Sequence, residues 1–182
     1  MNRMAKAALL TRLMITLRNQ GSWCGETHIQ KSIYLLQELF SVPLGFDFIL
    51  YKHGPFSFDL RDELTSLRAD GLLSLQPQAI PYGPRLAPAE GALALAGRFP
   101  KTLANYSLAV DFIADRLGSR GVNALERLAT GVYVTRQQPD ADAADRAQAL
   151  VGLKPHISFQ DALAAVQETD GLFAEARHQL QG

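Results

Sequence analysis

Thr27-His28-Ile29-Gln30-Lys31-Ser32-Ile33-Tyr34-Leu35-Leu36-Gln37, Tyr51-Lys52-His53-Gly54-Pro55-Phe56-Ser57, Asp59-Leu60-Arg61-Asp62-Glu63-Leu64 and Asp70-Gly71-Leu72-Leu73 follow one another in the stretch that decides the fold. It reads as a helix, a tight loop, a second helix and a strand. Thr27 with Gln30 three positions on has the spacing of a capping box. Ile29, Ile33, Leu36 and Phe40 recur at helical steps and share one face, which Tyr34 and Leu35 widen. Gln30, Lys31, Gln37 and Glu38 fall to the polar side. Pro43 and Gly45 end the helix. Residues 46–51, aromatic and β-branched, suit a short strand or an extended arm. His53-Gly54-Pro55 then breaks it, because Gly54 admits a positive φ and Pro55 fixes its own. Ser57 offers an N-cap to the second helix, with Asp59 and Asp62 near the positive end of its dipole. Phe56, Leu60, Leu64 and Leu67 make its buried stripe. Gly71 supplies a left-handed cap.

Upstream, residues 4–19 carry Met4, Ala8, Leu10, Leu13, Met14 and Leu17 on a broad apolar face. Arg3, Lys6, Arg12 and Arg18 lie off that face with no acid nearby. Downstream, Leu72-Leu73-Ser74-Leu75 is a short strand, Pro77, Pro81, Gly83 and Pro84 mark a bent connector, and Arg85-Leu86-Ala87 is a returning strand. We place a wing over 72–87 and a helix opening at Pro88. Phe99-Pro100 is a seam, and everything after it reads as helix: 106–117, 122–137, one starting at Pro139-Asp140, and a last one capped by Ser158 with Asp161 three on. Gly171 breaks that last helix. The fold class is mainly α with a small β wing: a winged helix-turn-helix-like region over 1–98 and a helical region over 99–182 packed on it as one compact domain.

The chain has 182 residues, 47% apolar and 20% charged, enough for a real core and too apolar for wholesale disorder. Lys plus Arg equals Asp plus Glu at 18 each, so bulk charge argues for neither nucleic acid nor an anionic membrane. Cys24 is the only cysteine, which excludes an internal disulfide and a multi-cysteine zinc site and suits a cytoplasmic address. It reads as a small buried filler. Arg12 cuts the first apolar run too early for a signal peptide, and no stretch is long enough to span a membrane.

Two blocks resemble a known family. Ile29-Gln30-Lys31, Tyr34 and Leu35-Leu36-Gln37 followed by Tyr51 to Ser57 is similar to the YwgA-like group, related to SocA-like (Panacea) antitoxin domains with their Leu-Gln-Lys-x-x-Tyr helix and Tyr-Gly-Pro loop. Leu128-Ala129-Thr130-Gly131-Val132-Tyr133 with Leu153-Lys154-Pro155 resembles the same group's alanine-threonine helix and Leu-Lys-Pro turn. The resemblance implies the fold and a setting among regulators, toxin–antitoxin or defence modules. It implies no activity.

Three functions compete. A winged-helix regulator would lay its second helix in the DNA groove, contacting with Arg61 and Arg68 and, from the wing, Arg85. Yet Asp59, Asp62, Glu63 and Asp70 outnumber the two arginines of that helix, so it repels phosphate. An enzyme would need more than four scattered histidines, His28, His53, His156 and His178, none paired for metal. Asp62 and Glu63, adjacent on a helix, diverge. We therefore expect no catalytic residue, no metal and no cofactor. The leading expectation is an antitoxin-like, adaptor or accessory module that binds a protein, such as a neighbouring gene's product, or a second copy of itself. Its contact residues would be Gln30, Lys31, Tyr34, Tyr51, His53, Gly54, Pro55 and Arg61.

Overall fold

The computed structural model describes residues 1–78 and 83–181. Pro81 and the tip of the expected wing lie outside them. Helix α1, Arg3–Asn19, starts at Asn2, whose side chain accepts the Ala5 amide at 2.8 Å. Its buried side comprises Ala5, Ala7 to Thr11, Leu13, Met14 and Leu17, broader than one stripe. Thr11 sits in it without penalty because its hydroxyl donates to the Ala7 and Ala8 carbonyls. The α1 cations are not isolated from acid. Arg3 pairs with Glu63 at 3.1 Å and Asp70 at 2.7 Å, and Lys6 sits over the Phe46 ring.

Helix α2, Glu26–Phe40, begins one residue before the expected cap. Gly25 holds the N-cap position and no side chain caps the helix, so the Thr27–Gln30 capping box does not form. Gln30 is committed elsewhere. The helix ends at Ser41 in the left-handed conformation, two residues before Pro43. Strands β1, Ile49–Tyr51, and β2, Gly54–Phe56, pair antiparallel, with Tyr51 opposite Gly54 and Ile49 opposite Phe56. Gly54-Pro55 therefore continues a hairpin where a break was expected, and the turn falls on Lys52-His53. Pro55 is tolerated because it lies opposite Leu50, between the two outer pairs of a three-pair ladder.

Helix α3, Phe58–Ala69, is capped by Ser57, which accepts the Leu60 amide, and buries Leu60, Leu64 and Leu67. It closes in a Schellman motif: Leu72 N–H donates to the Leu67 carbonyl and Gly71 N–H to Arg68, with Gly71 at φ +71°. Strands β3, Leu73–Gln76, and β4, Arg85–Pro88, form a second antiparallel hairpin. Pro88 belongs to β4, so helix α4, Glu90–Arg98, starts later than expected. Then come α5, Pro100–Asn105, α6, Ser107–Leu117, and α7, Val122–Gln137. Helix α8, Ala143–Leu153, is capped by Asp142 rather than opening at Pro139. Helix α9, Phe159–Gln181, runs through Gly171 without a break.

One large apolar core joins α1, α2, α3, α6 and α7 to Leu172 and Ala176 of α9, and Phe99, Leu103 and Tyr106 pack against it across the expected seam. A smaller cluster links the end of α7 to α8 and the start of α9. Cys24 is buried, its thiol against the Met14 carbonyl, and burial pushes its pKa up. The architecture is mainly helical with a small β part, and no described helix is long and apolar enough to cross a membrane.

Candidate functional site

The β1–β2 hairpin is held from behind by polar side chains that are themselves out of solvent. Gln30 uses both ends of its amide on one residue: Nε2 donates to the Ser57 carbonyl and Oε1 accepts the Ser57 amide, each at 2.9 Å. The first turn of α3 is thereby fastened to α2. The next residue, Lys31, is 1% exposed, and its Nζ donates to the Pro55 carbonyl at 2.7 Å. From the far end of the chain, Lys154 donates to the Tyr51 and Lys52 carbonyls at 2.8 and 2.6 Å. Its Nζ also meets Glu126 of α7 at 3.1 Å.

Glu126 is the buried counter-ion of the group. His53 Nδ1 stands 3.7 Å from one of its oxygens and His156 Nε2 3.6 Å from the other, both imidazoles being more than half exposed. Lys154 pairs with this carboxylate directly, and Lys31 feels its charge without an ion-pair contact. Burial lowers the Lys31 pKa to about 8, with Glu126 opposing the shift and Lys154 adding to it. Gly54 is needed where α7 comes closest. It sits at φ +88°, and a Cβ there would lie 3.1 Å from the Thr130 hydroxyl and 3.4 Å from Lys31 Cε.

Gripped in this way, the hairpin turns its other face outward. Ile49, Tyr51 and Phe58 are exposed and Phe56 is half-buried. Tyr51, Phe56 and Phe58 form a triangle of rings with centroids 5.1 to 5.7 Å apart, and the Arg61 guanidinium lies 5.0 Å above Phe58. The result is an apolar, cation-edged patch on a rigid base. Lys31, Glu126 and Lys154 are all buried, and the two lysines hold the hairpin backbone in place. Among the described residues no cluster of His, Cys, Asp or Glu could hold a metal ion.

The expected contact residues divide accordingly. Tyr51, His53 and Arg61 are on the outer surface. Gln30, Lys31, Gly54 and Pro55 are buried supports, which corrects the placing of Gln30 and Lys31 on a polar face. Tyr34 is a core residue, 5.0 Å from the Phe48 ring, and burial raises its pKa. Arg61 and Arg68 line one shallow groove with Leu75 and Leu86. Arg85 is engaged differently, with Gln76 at 2.5 Å and the Trp23 ring. Sequence reasoning missed Glu126, although it lies beside the stripe of Val122, Leu125 and Ala129, where a carboxylate requires a partner. No family profile matches this chain, and no curated protein matches it.

Proposed function

We propose that this chain is a non-enzymatic protein-interaction module, an antitoxin-like, adaptor or accessory regulator of a bacterial toxin–antitoxin or defence-type system, with a YwgA-like, SocA-like ancestry. The observation that carries the reading is the ring patch of Tyr51, Phe56 and Phe58 with Arg61, formed where the start of α3 meets a hairpin whose backbone is tied down by Lys31 and Lys154. Clustered aromatics beside arginine are the composition of interface hot spots, and a pre-ordered patch loses little entropy on binding. The test is capture of the neighbouring gene's product by the full chain. Tyr51→Ala and Phe58→Ala are each expected to weaken capture about tenfold or more with the circular dichroism unchanged. Equal capture by both variants would remove the patch from the interface.

The alternative is a winged-helix DNA-binding regulator, using α3 for the groove and the β3–β4 hairpin as wing. It draws support from Arg3, which pairs with Glu63 and Asp70 and so quiets two of the four carboxylates. Against it, Arg61 lies on Asp62, and Arg85 is held by Gln76. The pairing of Arg61 removes one phosphate contact that counterion release would reward. A gel shift with random duplex at low salt decides: a salt-sensitive shift lost in Arg61→Ala and Arg68→Ala would favour DNA.

A further inference from the structure

The outer edge of the β3–β4 hairpin is open. In an antiparallel ladder, successive residues aim their amide and carbonyl to opposite sides. The Leu86 amide donates to the Cys24 carbonyl at 3.0 Å, on the side of β4 away from β3. Leu86 stands opposite Leu75, so this pair exchanges no bonds across the hairpin. Leu73 stands opposite Pro88, which has no amide hydrogen to give. Ser74 and Gln76 therefore bond to β4, while Leu73 and Leu75 aim their amides and carbonyls outward. Among the described residues no other backbone group takes these up. Leu75 is 41% exposed. The strand is short, but it carries neither the charge nor the proline that blunts an edge.

Beside this edge α3 shows a basic stripe. Arg61, Thr65 and Arg68 are spaced by four and three residues and share one face. Thr65 and Arg68 wall a groove of about 500 Å³ with Leu73 and Leu75. Arg61 extends that wall toward Leu86, where Glu26 is the acid among the lining residues. The carboxylates of α3 sort differently. Glu63 and Asp70 turn to Arg3 of α1, and Asp62 meets Arg61 at 3.0 Å. Arg68 is exposed and has no ion-pair partner among the described residues. Pairing of β3 with the same strand of a second copy would crowd two such arginines at one short seam, and like charge disfavours it. The groove calls for the opposite sign.

We infer that the β3 edge takes an extended acidic segment of a protein partner as an added strand, its backbone on Leu75 and Leu73 and its carboxylates on Arg68 and Arg61. Main-chain bonds to the edge supply affinity, and the arginine stripe selects the charge. This surface is separate from the ring patch, which it meets only at Arg61, over Phe58. Arg68 and Leu75 lie outside the patch, so variants there test the edge alone.

Fluorescence polarisation with the full chain would use a short dye-labelled peptide alternating glutamate and valine. Saturable binding at millimolar concentration or below is expected, with the lysine–valine counterpart about tenfold weaker or worse. Arg68→Glu should weaken the acidic peptide about tenfold or more with the circular dichroism unchanged. Leu75→Pro deletes an outward amide hydrogen and no bond of the hairpin, a change that edge strands tolerate. It should bind about tenfold more weakly, whereas Leu75→Ala, which keeps the amide, should bind within about threefold of the parent. The same peptide with N-methylated amides tests the ladder without altering the protein and should not bind. No saturation, equal binding of the lysine or N-methylated peptide, or Arg68→Glu binding as the parent overturns the proposal. Tighter binding of random duplex than of the peptide, lost in Arg68→Glu, overturns it in favour of nucleic acid.

Discussion

Lys31 is a lysine buried to 1% exposure, and the consequence is measurable. An unfolded chain keeps the Lys31 proton up to the ordinary 10.5, while the folded chain releases it at about 8. Between those values the unfolded state holds more protons, so stability rises with pH. Below about 8 the full cost of a buried ammonium is present. Urea unfolding at pH 7.5 and at pH 10.5 should show that rise, roughly 3 kcal/mol for this group, and Lys31→Met should lose it. An equal rise in the variant would mean that other groups cause it. Glu126 is the complementary test. Glu126→Gln leaves the buried Lys154 without its ion-pair partner and should cost about 3–5 kcal/mol in the same assay. His28 acts in acid: burial lowers its pKa to about 4, so the unfolded chain takes up a proton first as pH falls below 6.5. The stability that His28 contributes is therefore lost between 6.5 and 4, and His28→Gln should flatten that limb.

Glycine shows how the helices differ from one another. In α9, Gly171 faces open space on the face away from the core, and a Cβ meets nothing. Gly171→Ala should stabilise by about 0.5–1 kcal/mol through lower chain entropy in the unfolded state and better helix propensity. In α7, Gly131 packs against α9, where a Cβ would fall 2.8 Å from the Thr169 hydroxyl and 3.1 Å from the Ala165 carbonyl. Gly131→Ala should destabilise by about 1–3 kcal/mol. The same substitution thus has opposite signs on two helices, read as shifts in the urea midpoint. Two helix ends also obey local rules closely. Ser57 caps α3 and Gly71 closes it because both motifs need only atoms within one or two turns. Thr27, by contrast, is not the cap because α2 begins at Glu26 with Gly25 at the N-cap, which puts Thr27 inside the first turn, while Gln30 is committed to Ser57.

The molecule as a whole is knit by contacts between distant parts of the chain. Residues of α1, α2 and α3 share one core with α6, α7 and α9. Lys154 ties the hairpin to the α8–α9 loop, and Arg3 ties α1 to α3. Unfolding should therefore be one transition, with coincident midpoints for Trp23 fluorescence and far-ultraviolet dichroism. Separate midpoints would mean that the N-terminal and C-terminal halves melt independently. The surface follows the same logic. The acids of α3 that look dominant in a one-dimensional count meet Arg3 from α1 and the neighbouring Arg61, which leaves the outward rings as the distinctive feature.

What could be read from residue order alone was most of the helices, though not α5 or the continuity of α9 through Gly171, both short strands of the second hairpin, the caps at Ser57 and Ser158, the left-handed Gly71 and the burial of Cys24. Each depends on neighbours within a few positions, or on a periodicity that survives any packing. The first hairpin was half legible: the β-rich run at 46–51 was visible, but the strand through Gly54-Pro55 was not, because an opposing strand stabilises a local pattern that forbids helix. Gln30, Lys31, Glu126 and Lys154 were beyond reach. A charged or amide side chain goes to the polar side by default, and only the packing of the first hairpin and the start of α3 against α2, with α7 and the α8–α9 loop closing on the hairpin, brings the partners that satisfy these groups once buried.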